Sequence, residues 1–464
     1  MNEKSMELNQ ITEGRLAPAL IKFVIPLMMA LLLQALYSAV DLIIVGQYGT
    51  PASVSAVAMG GQIMNTVTVI VCGITVGGTV LIGKLYGARN YERTAKAIGN
   101  ITLISIVMAV VLTAIVVGAS RPLARVMNVP EEAFEKCVTY TIVCGSGIVF
   151  IVGYNLLSSI FRGLGNSKLP FVFIAIACVI NIVLDLVFVG ALKMDSLGAA
   201  IATIIAQGVS VILSLIFIKK KGFNFALNKS HFKFDKSTAF QLLKIGTPIA
   251  LNDGLTSISF VVISAFINVL GLVASASVGI AERTFLFLII VPMSFMTAIS
   301  TFVAQNMGAG NEKRVMQSFK IGLSISILFG VIIFLFTYFG GGIIAKLFTK
   351  DALVIASTAE YMKGCSFEYL STSIGYCLMG YFNGRGKTIF VMAQGIVVAF
   401  GVRIPLSYAF STMENWTMYQ IGTAVPISTI VSLVCCIAIF VWIQYSIKYS
   451  RNLGSKLLKL PYAR

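Results

Sequence analysis

Apolar runs of roughly 20 residues or more recur about twelve times along this 464-residue chain, and that pattern decides most of what it can become. Inside a bilayer no water satisfies exposed backbone amides, so only helices and closed barrels span it. Barrel strands alternate apolar and polar residues over about ten positions. No such alternation is sustained here, and a soluble α/β protein would show much shorter runs broken by charged faces. With 57% hydrophobic and 11% charged residues and a mean hydropathy of +0.91, the chain has too little polar surface to cover a soluble core. The sequence predicts an all-α integral membrane protein of twelve transmembrane helices.

The chain is also written twice. Gly87-Ala88-Arg89-Asn90, with Arg93 behind it, returns as Gly308-Ala309-Gly310-Asn311 with Arg314, and each follows an apolar stretch opened by a proline, Pro26 or Pro248. Farther on, Gly163-Leu164-Gly165 returns as Gly384-Arg385-Gly386 at nearly the same offset. A duplication of this size in an apolar chain predicts two six-helix bundles of one orientation, related by an axis along the membrane normal and enclosing a cleft. Helices are expected near 16–46, 52–82, 95–119, 136–160, 168–190 and 196–218, then 238–268, 273–305, 316–345, 352–382, 388–410 and 416–447. Residues 1–218 then form an N-terminal lobe, 219–237 a basic cytoplasmic linker, 238–447 a C-terminal lobe and 448–464 a cytoplasmic tail.

The net charge of +17 raises nucleic acid as a partner, but its distribution has another cause. If the N-terminus is cytoplasmic, most of the 35 Lys and Arg fall in or beside the internal segments, as the positive-inside rule requires. The densest block, Lys219-Lys220-Lys221 through Lys229, Lys233 and Lys236, reads as topology and lipid contact, and no nucleic acid is expected. The first apolar run, Leu16 to Val45, is too long for a cleaved signal segment, and Glu3, Glu7 and Glu13 precede it, so no targeting peptide is evident. Cys72, Cys137, Cys144, Cys178, Cys365, Cys377, Cys435 and Cys436 fall mostly inside apolar runs, without metal-binding spacing, and read as small hydrophobes. His231, the single histidine, sits among Lys and Phe in the linker and reads as solvated. No paired nucleophile and base, zinc motif or P-loop is visible, so neither enzyme activity nor ATP-driven pumping is expected.

Asp41, Asp185, Asp253, Glu282, Arg283, Glu368 and Arg403 stand inside apolar runs, where a charge costs at least about 2.5 kcal/mol and implies an interior position with a task. In the second half Arg283 and Arg403 accompany Asp253, Glu282 and Glu368, so ion pairing can neutralise most of the charge. In the first half Asp41 and Asp185 have no intramembrane cation. Counting residues from the helix ends places Asp41, Asp185 and Thr203 at one depth, with Asn181 on the same helix face as Asp185. Two carboxylates, an amide oxygen and a hydroxyl suit a hard metal ion such as sodium. The same carboxylates can instead bind protons, since desolvation and like-charge repulsion raise at least one pKa; both readings stay open. Pro26 shares its helix with Asp41, so a bend there moves an ionisable group. Pro248, Pro292, Pro405 and Pro426 read as ordinary membrane-helix kinks.

These pieces resemble the multidrug and toxic compound extrusion family of the wider multidrug, oligosaccharidyl-lipid and polysaccharide exporter group. The resemblance covers essentially the whole chain. It rests on Pro26 and Asp41, Gly87-Ala88-Arg89-Asn90, Phe161-Arg162-Gly163-Leu164-Gly165, Asn181-Ile182-Val183-Leu184-Asp185 and Arg403-Ile404-Pro405-Leu406. It implies a polar network over Gln34, Asp41, Tyr140, Asn155, Asn181, Asp185 and Thr203, with Ser158 where some members carry asparagine. It also implies a second cation or substrate site at Asp253, Glu282 and Glu368. The implied activity is antiport by alternating access: cationic, often aromatic drugs or dyes leave as sodium or protons enter, with no other cofactor. Met28, Met29, Met59, Met64 and Met293 are candidates for an adaptable apolar wall. The alternative within the group is a flippase for lipid-linked sugars, which needs a basic cavity for pyrophosphate. A monomer in the bacterial plasma membrane, with both termini cytoplasmic, is expected.

Overall fold

The computed structural model describes residues 11–413 and 416–457, and the described chain is helical almost throughout. The first half holds α1 (Leu16–Tyr48), α2 (Pro51–Gly87), α3 (Tyr91–Gly118), the short α4 (Ser120–Val126), α5 (Glu131–Ser146), α6 (Ile148–Gly163), α7 (Lys168–Asp185) and α8 (Asp195–Lys221). The second half holds α9 (Lys236–Asn268), α10 (Leu272–Leu288), α11 (Ile290–Gly308), α12 (Glu312–Lys346), α13 (Ala352–Cys365), α14 (Phe367–Gly384), α15 (Thr388–Val398), α16 (Ile404–Ser411) and α17 (Met418–Leu457). Ten continuous stretches, with α10–α11 and α15–α16 each counted as one, are long and apolar enough to cross a bilayer, and α5 with α6 adds an eleventh, bent by 46°. The pair α13 and α14, divided at Ser366, completes twelve crossings in two bundles.

The breaks are where the structure departs from the expected continuous helices. Glycines at 145 and 147 flank the bend between α5 and α6, and helix-breaking glycine in a membrane span is tolerated where neighbouring helices cover the freed backbone. The span expected at 136–160 therefore runs from 131 to 163 in two pieces. Wide π-type turns at Leu186–Ala191 and Ala399–Arg403 interrupt the fifth crossing of each half, and such turns gather at functional positions. The last helix continues to Leu457, into the stretch expected as a polar tail; residues 458–464 lie outside the described residues.

The repeated tetrapeptides have a common structural cause. Each turn ends one crossing and caps the next: Asn90 Oδ1 accepts from Arg93 N at 3.1 Å and Asn311 Oδ1 from Arg314 N at 3.0 Å. The residue before each asparagine has positive φ, Arg89 at 55° and Gly310 at 71°. Below these turns the bundles touch. A Cβ on Gly87 would strike the Gln305 carbonyl, and one on Gly308 the Lys84 carbonyl, so each copy's glycine admits the other copy's backbone. Gly77 lies against Leu242 and Gly246 in the same way, and Gly73 against Ala250.

The hydrogen bonds found between the bundles gather at this end, here termed the linker face. Gln305 Nε2 donates to Gly163 O at 2.8 Å. Arg314 donates to the carbonyls of Ile11 (2.9 Å) and Gly14 (2.8 Å), while Arg89 pairs with Glu13 at 2.5 Å. The segment before α1 is thus held by both repeated turns at once.

The linker folds against the N-terminal bundle. Phe225 stacks on Tyr91 and Phe223 on Phe225. His231, expected to be solvated, is 5% exposed: its Nδ1 accepts from Asn228 N at 3.0 Å and its Nε2 lies 3.1 Å from Glu92. A tight turn over Lys229–Phe232 tucks the ring inward, a conformation composition could not announce. All eight cysteines are free and none is exposed.

Candidate functional site

Three helices of the N-terminal bundle bring the sequence-selected oxygens together. Asp41, near the far end of α1, is 5% exposed; Asn181 and Asp185, one turn apart on α7, are fully buried. Asp41 faces Asp185, Asn181 and Thr203. Thr203 Oγ1, on α8, lies 3.4 Å from Asp41 Oδ2 and 2.9 Å from Ala199 O. The remaining polar atoms are unmet by the protein: Asp41 Oδ1, both Asp185 carboxylate oxygens, and Oδ1 and Nδ2 of Asn181 are buried without a hydrogen-bond partner. Leaving such groups unpaired is costly, about 1–3 kcal/mol each and more for charges. Ion pairs among the described residues lie elsewhere, so no cationic side chain relieves the two carboxylates.

The set fits a hard cation, because it supplies carboxylate, amide and hydroxyl oxygens and no soft donor. Among the described residues no group of three or more His, Cys, Asp or Glu side chains could hold a metal, which sets this pair apart from a transition-metal centre. It fits a shared proton equally, since one protonated carboxyl would donate to the other. A cavity of about 40 Å³ adjoins it, lined by Met64, Tyr140, Cys144, Gly147, Ile151, Thr203, Ile204 and Gln207. That volume admits a water molecule.

Sequence reasoning missed Tyr37. Its hydroxyl is buried, lies beside Thr203 and Asp41, and has no hydrogen-bond partner among the described residues. The signal was present, since Tyr37 precedes Asp41 by one helical turn. Tyr140 and Cys144 stand beside the same group, and Gly60 on α2 makes room for the Tyr140 ring. Of two further expected network members, Asn155 Oδ1 accepts from Cys72 Sγ at 3.1 Å, and Gln34 has no side-chain hydrogen bond among the described residues. Ser158 is buried near Tyr154. Met64 lines the cavity and Met59 packs against the α2–α5 core, whereas Met293 is exposed. Met28 and Met29 are half-buried on α1.

In the C-terminal bundle the expected ion pairing is not formed. Arg403 is 9% exposed, but its Nε donates to Ser428 Oγ at 3.0 Å, its Nη1 to Ser259 Oγ at 3.5 Å, and its guanidinium lies 4.8 Å from the Phe260 ring centre. Hydroxyls and an aromatic face surround the cation, and Glu368 is close enough to feel its charge without forming an ion pair. Glu282 accepts from Ser264 at 2.8 Å, and Asp253 from Asn252 at 3.2 Å. Glu282 and Arg283 are exposed neighbours on one helix, so their side chains diverge. Glu368, 6% exposed, has no ion pair among the described residues. The three acids are strung along the bundle: Tyr376 is near Asp253 and Glu368, and Tyr361 near Glu282 and Glu368.

A duplicated twelve-crossing bundle pair with a buried carboxylate site in one copy defines a multi-pass membrane transporter architecture, and comparison with known proteins places it further. The MatE family model matches residues 26–187 and again 248–409, so the chain belongs to the MatE family. It is 25% identical over 429 residues to the probable multidrug resistance protein YoeA of Bacillus subtilis, covering 90% of this chain and 93% of that one. It is 23% identical to the multidrug export protein MepA of Staphylococcus haemolyticus, over 96% of this chain and 97% of the relative. Its fold matches a crystal structure of a MATE protein in the bent conformation with a TM-score of 0.89, at 20% identity, over 98% of this chain and 100% of that one.

Proposed function

We propose that this protein is a secondary antiporter that exports cationic and aromatic small molecules in exchange for entering sodium ions or protons. The observation carrying this reading is the Asp41–Asp185–Asn181–Thr203 group, two buried carboxylates with unmet oxygens and no cationic side chain to balance them. A mobile cation balances them, and sodium, a proton or a cationic substrate does so in turn. The names of YoeA and MepA, a probable multidrug resistance protein and a multidrug export protein, support the substrate class. The acidic character of this site disfavours an anionic lipid-linked sugar.

The direction of transport follows from topology. The basic linker makes the linker face cytoplasmic by the positive-inside rule, and the bundles meet there at Gly87, Gly308 and Gln305. The arrangement is then the outward-facing member of an alternating-access pair. An entering ion binds at Asp41 and Asp185 and displaces the substrate outward; its release inside follows opening of the linker face.

The test is efflux of a cationic dye from energised membrane vesicles with sodium and proton gradients imposed separately. Wild-type protein drives efflux with one of them. Asp41→Asn, expressed at wild-type level, drives none with either; undiminished efflux from that variant would sink the proposal.

A further inference from the structure

The N-terminal bundle carries a second cavity, unrelated to the carboxylates. It has a volume of about 430 Å³ and an almost wholly apolar wall formed by α3, α6 and α8, with Ile98, Ile106, Phe150 and Val211 among its members. Its roof is the linker, through Phe223, Leu227 and Phe232. From Ile98 to Ala109 the lining of α3 spans about 16 Å at 1.5 Å per residue, close to half of a hydrocarbon core of about 30 Å. The groove thus runs from the linker to mid-bilayer, the depth of one leaflet. It is open to the surrounding membrane, since Ile106, Val149 and Leu215 on its wall are each more than half exposed.

Its mouth is cationic. Lys219, Lys220 and Lys221 follow directly on the groove residue Ile218, and Lys229 and Lys233 flank Phe232. Their charges are uncompensated: no ion pair is found for any of these five among the described residues, and Lys221 lies over the Phe217 ring at 5.1 Å. The acids nearby are engaged otherwise, Glu92 with Lys96 and His231, Asp235 in capping Thr238. Hydrogen bonds from Thr238 hold the exposed Asp235 carboxyl below its usual pKa range, so it stays anionic yet bonded at its own helix end.

We infer that this groove is a binding site for an anionic phospholipid of the cytoplasmic leaflet, with one acyl chain between α3, α6 and α8 and the headgroup phosphate on the Lys219–Lys221 and Lys229–Lys233 cluster. An apolar slot one leaflet deep selects a chain, and lysines at its polar end select negative charge. The leaflet assignment rests on the topology proposed above, while the binding itself does not.

The experiment uses the full-length protein, delipidated in detergent, with bound lipid counted by native mass spectrometry. The probes are phosphatidylglycerol and phosphatidylcholine with identical acyl chains, and a short-chain phosphatidylglycerol. The wild type is expected to prefer long-chain phosphatidylglycerol over phosphatidylcholine by roughly tenfold or more and to lose most binding with the short chain. Replacing Lys219, Lys220 and Lys221 together by Gln removes the headgroup preference. Thr102→Trp, which fills the groove, removes retention of both long-chain lipids, with an unchanged unfolding temperature showing that the bundle stands. Equal binding of the two headgroups by the wild type overturns the proposal. So does a phosphatidylglycerol preference that survives both chain shortening and Thr102→Trp, which would mean surface adsorption to lysines only. Transport can fail in all of these proteins without touching the result, so the two proposals fail separately.

Discussion

Asp185 is buried on α7 with neither carboxylate oxygen bonded, a position an isolated carboxylate could hold only at high cost. If, as proposed, an entering cation relieves that cost, each neutral ligand around it should contribute affinity without being needed for the exchange itself. Thr203→Ala removes a hydroxyl facing Asp41 and Tyr37→Phe removes one beside it. At about 1 kcal/mol per hydrogen bond or ligand contact, each should raise the ion concentration for half-maximal efflux roughly fivefold while the maximal rate stays near wild type. A variant that instead lost maximal rate at saturating ion would place its hydroxyl in the conformational step. Most of this group was legible in the sequence because intramembrane carboxylates are scarce and helix arithmetic fixes their depth. Tyr37 was overlooked because tyrosine is common in membrane helices and only its neighbours make it functional. The pairing expected of Arg403 failed for a related reason: the serines and phenylalanine that satisfy it look like ordinary core residues until the fold assembles them.

Among the elements, the repeated turns were the most legible, because Gly-Ala-x-Asn encodes a helix end, a positive-φ residue and the next helix's cap within one short motif. What the sequence left hidden is that the same glycines form the contact between bundles. A side chain at Gly87 or Gly308 meets backbone carbonyls of the opposite bundle, which cannot give way as a flexible side chain would. Gly87→Val should therefore destabilise the closed linker face by about 1–3 kcal/mol, the usual range for overpacking, with little effect inside either bundle. Spin labels on Arg93→Cys and Lys313→Cys, exposed positions after the two turns, would report a longer distance in that variant. An unchanged distance distribution would show that the contact does not hold the face shut. The π-type turns and the α5–α6 bend were illegible for a different reason. They depend on which neighbouring helix supplies cover, and local sequence carries little of that. The two π turns also show how duplication diverged, since one directly follows Asp185 and the other ends at Arg403.

At the scale of the whole molecule, α1 belongs to both halves. Its linker-face part, Leu16, Leu20, Phe23 and Leu27, packs in one core with Phe295, Phe302, Phe319 and Tyr381 of the C-terminal bundle, whereas Ile44 and Val45 pack in the N-terminal core. Pro26 lies near the end of the first attachment, one residue before Leu27, and the contacts with the N-terminal bundle begin at Ala30; Ser167 Oγ donates to the Phe23 carbonyl at 2.7 Å just before the proline. A helix fixed to one bundle at each end transmits any change at Asp41 to the linker face, provided it can flex where the two attachments part. The linker-face end is further pinned by Arg314 on Ile11 and Gly14. Charge-assisted hydrogen bonds of this kind contribute about 1.5–3 kcal/mol each, a sizeable part of the roughly 5.5 kcal/mol needed to swing a two-state equilibrium from one extreme to the other. Arg314→Ala should thus raise the population with an open linker face by about tenfold or more, read as a second, longer distance between labels at positions 93 and 313. Pro26→Ala should act on kinetics instead: efflux slows because the helix connecting site to face, which proline lets flex, is stiffened. If Pro26→Ala transported at the wild-type rate, coupling would have to run through bundle rotation alone, and α1 would be a passenger in it.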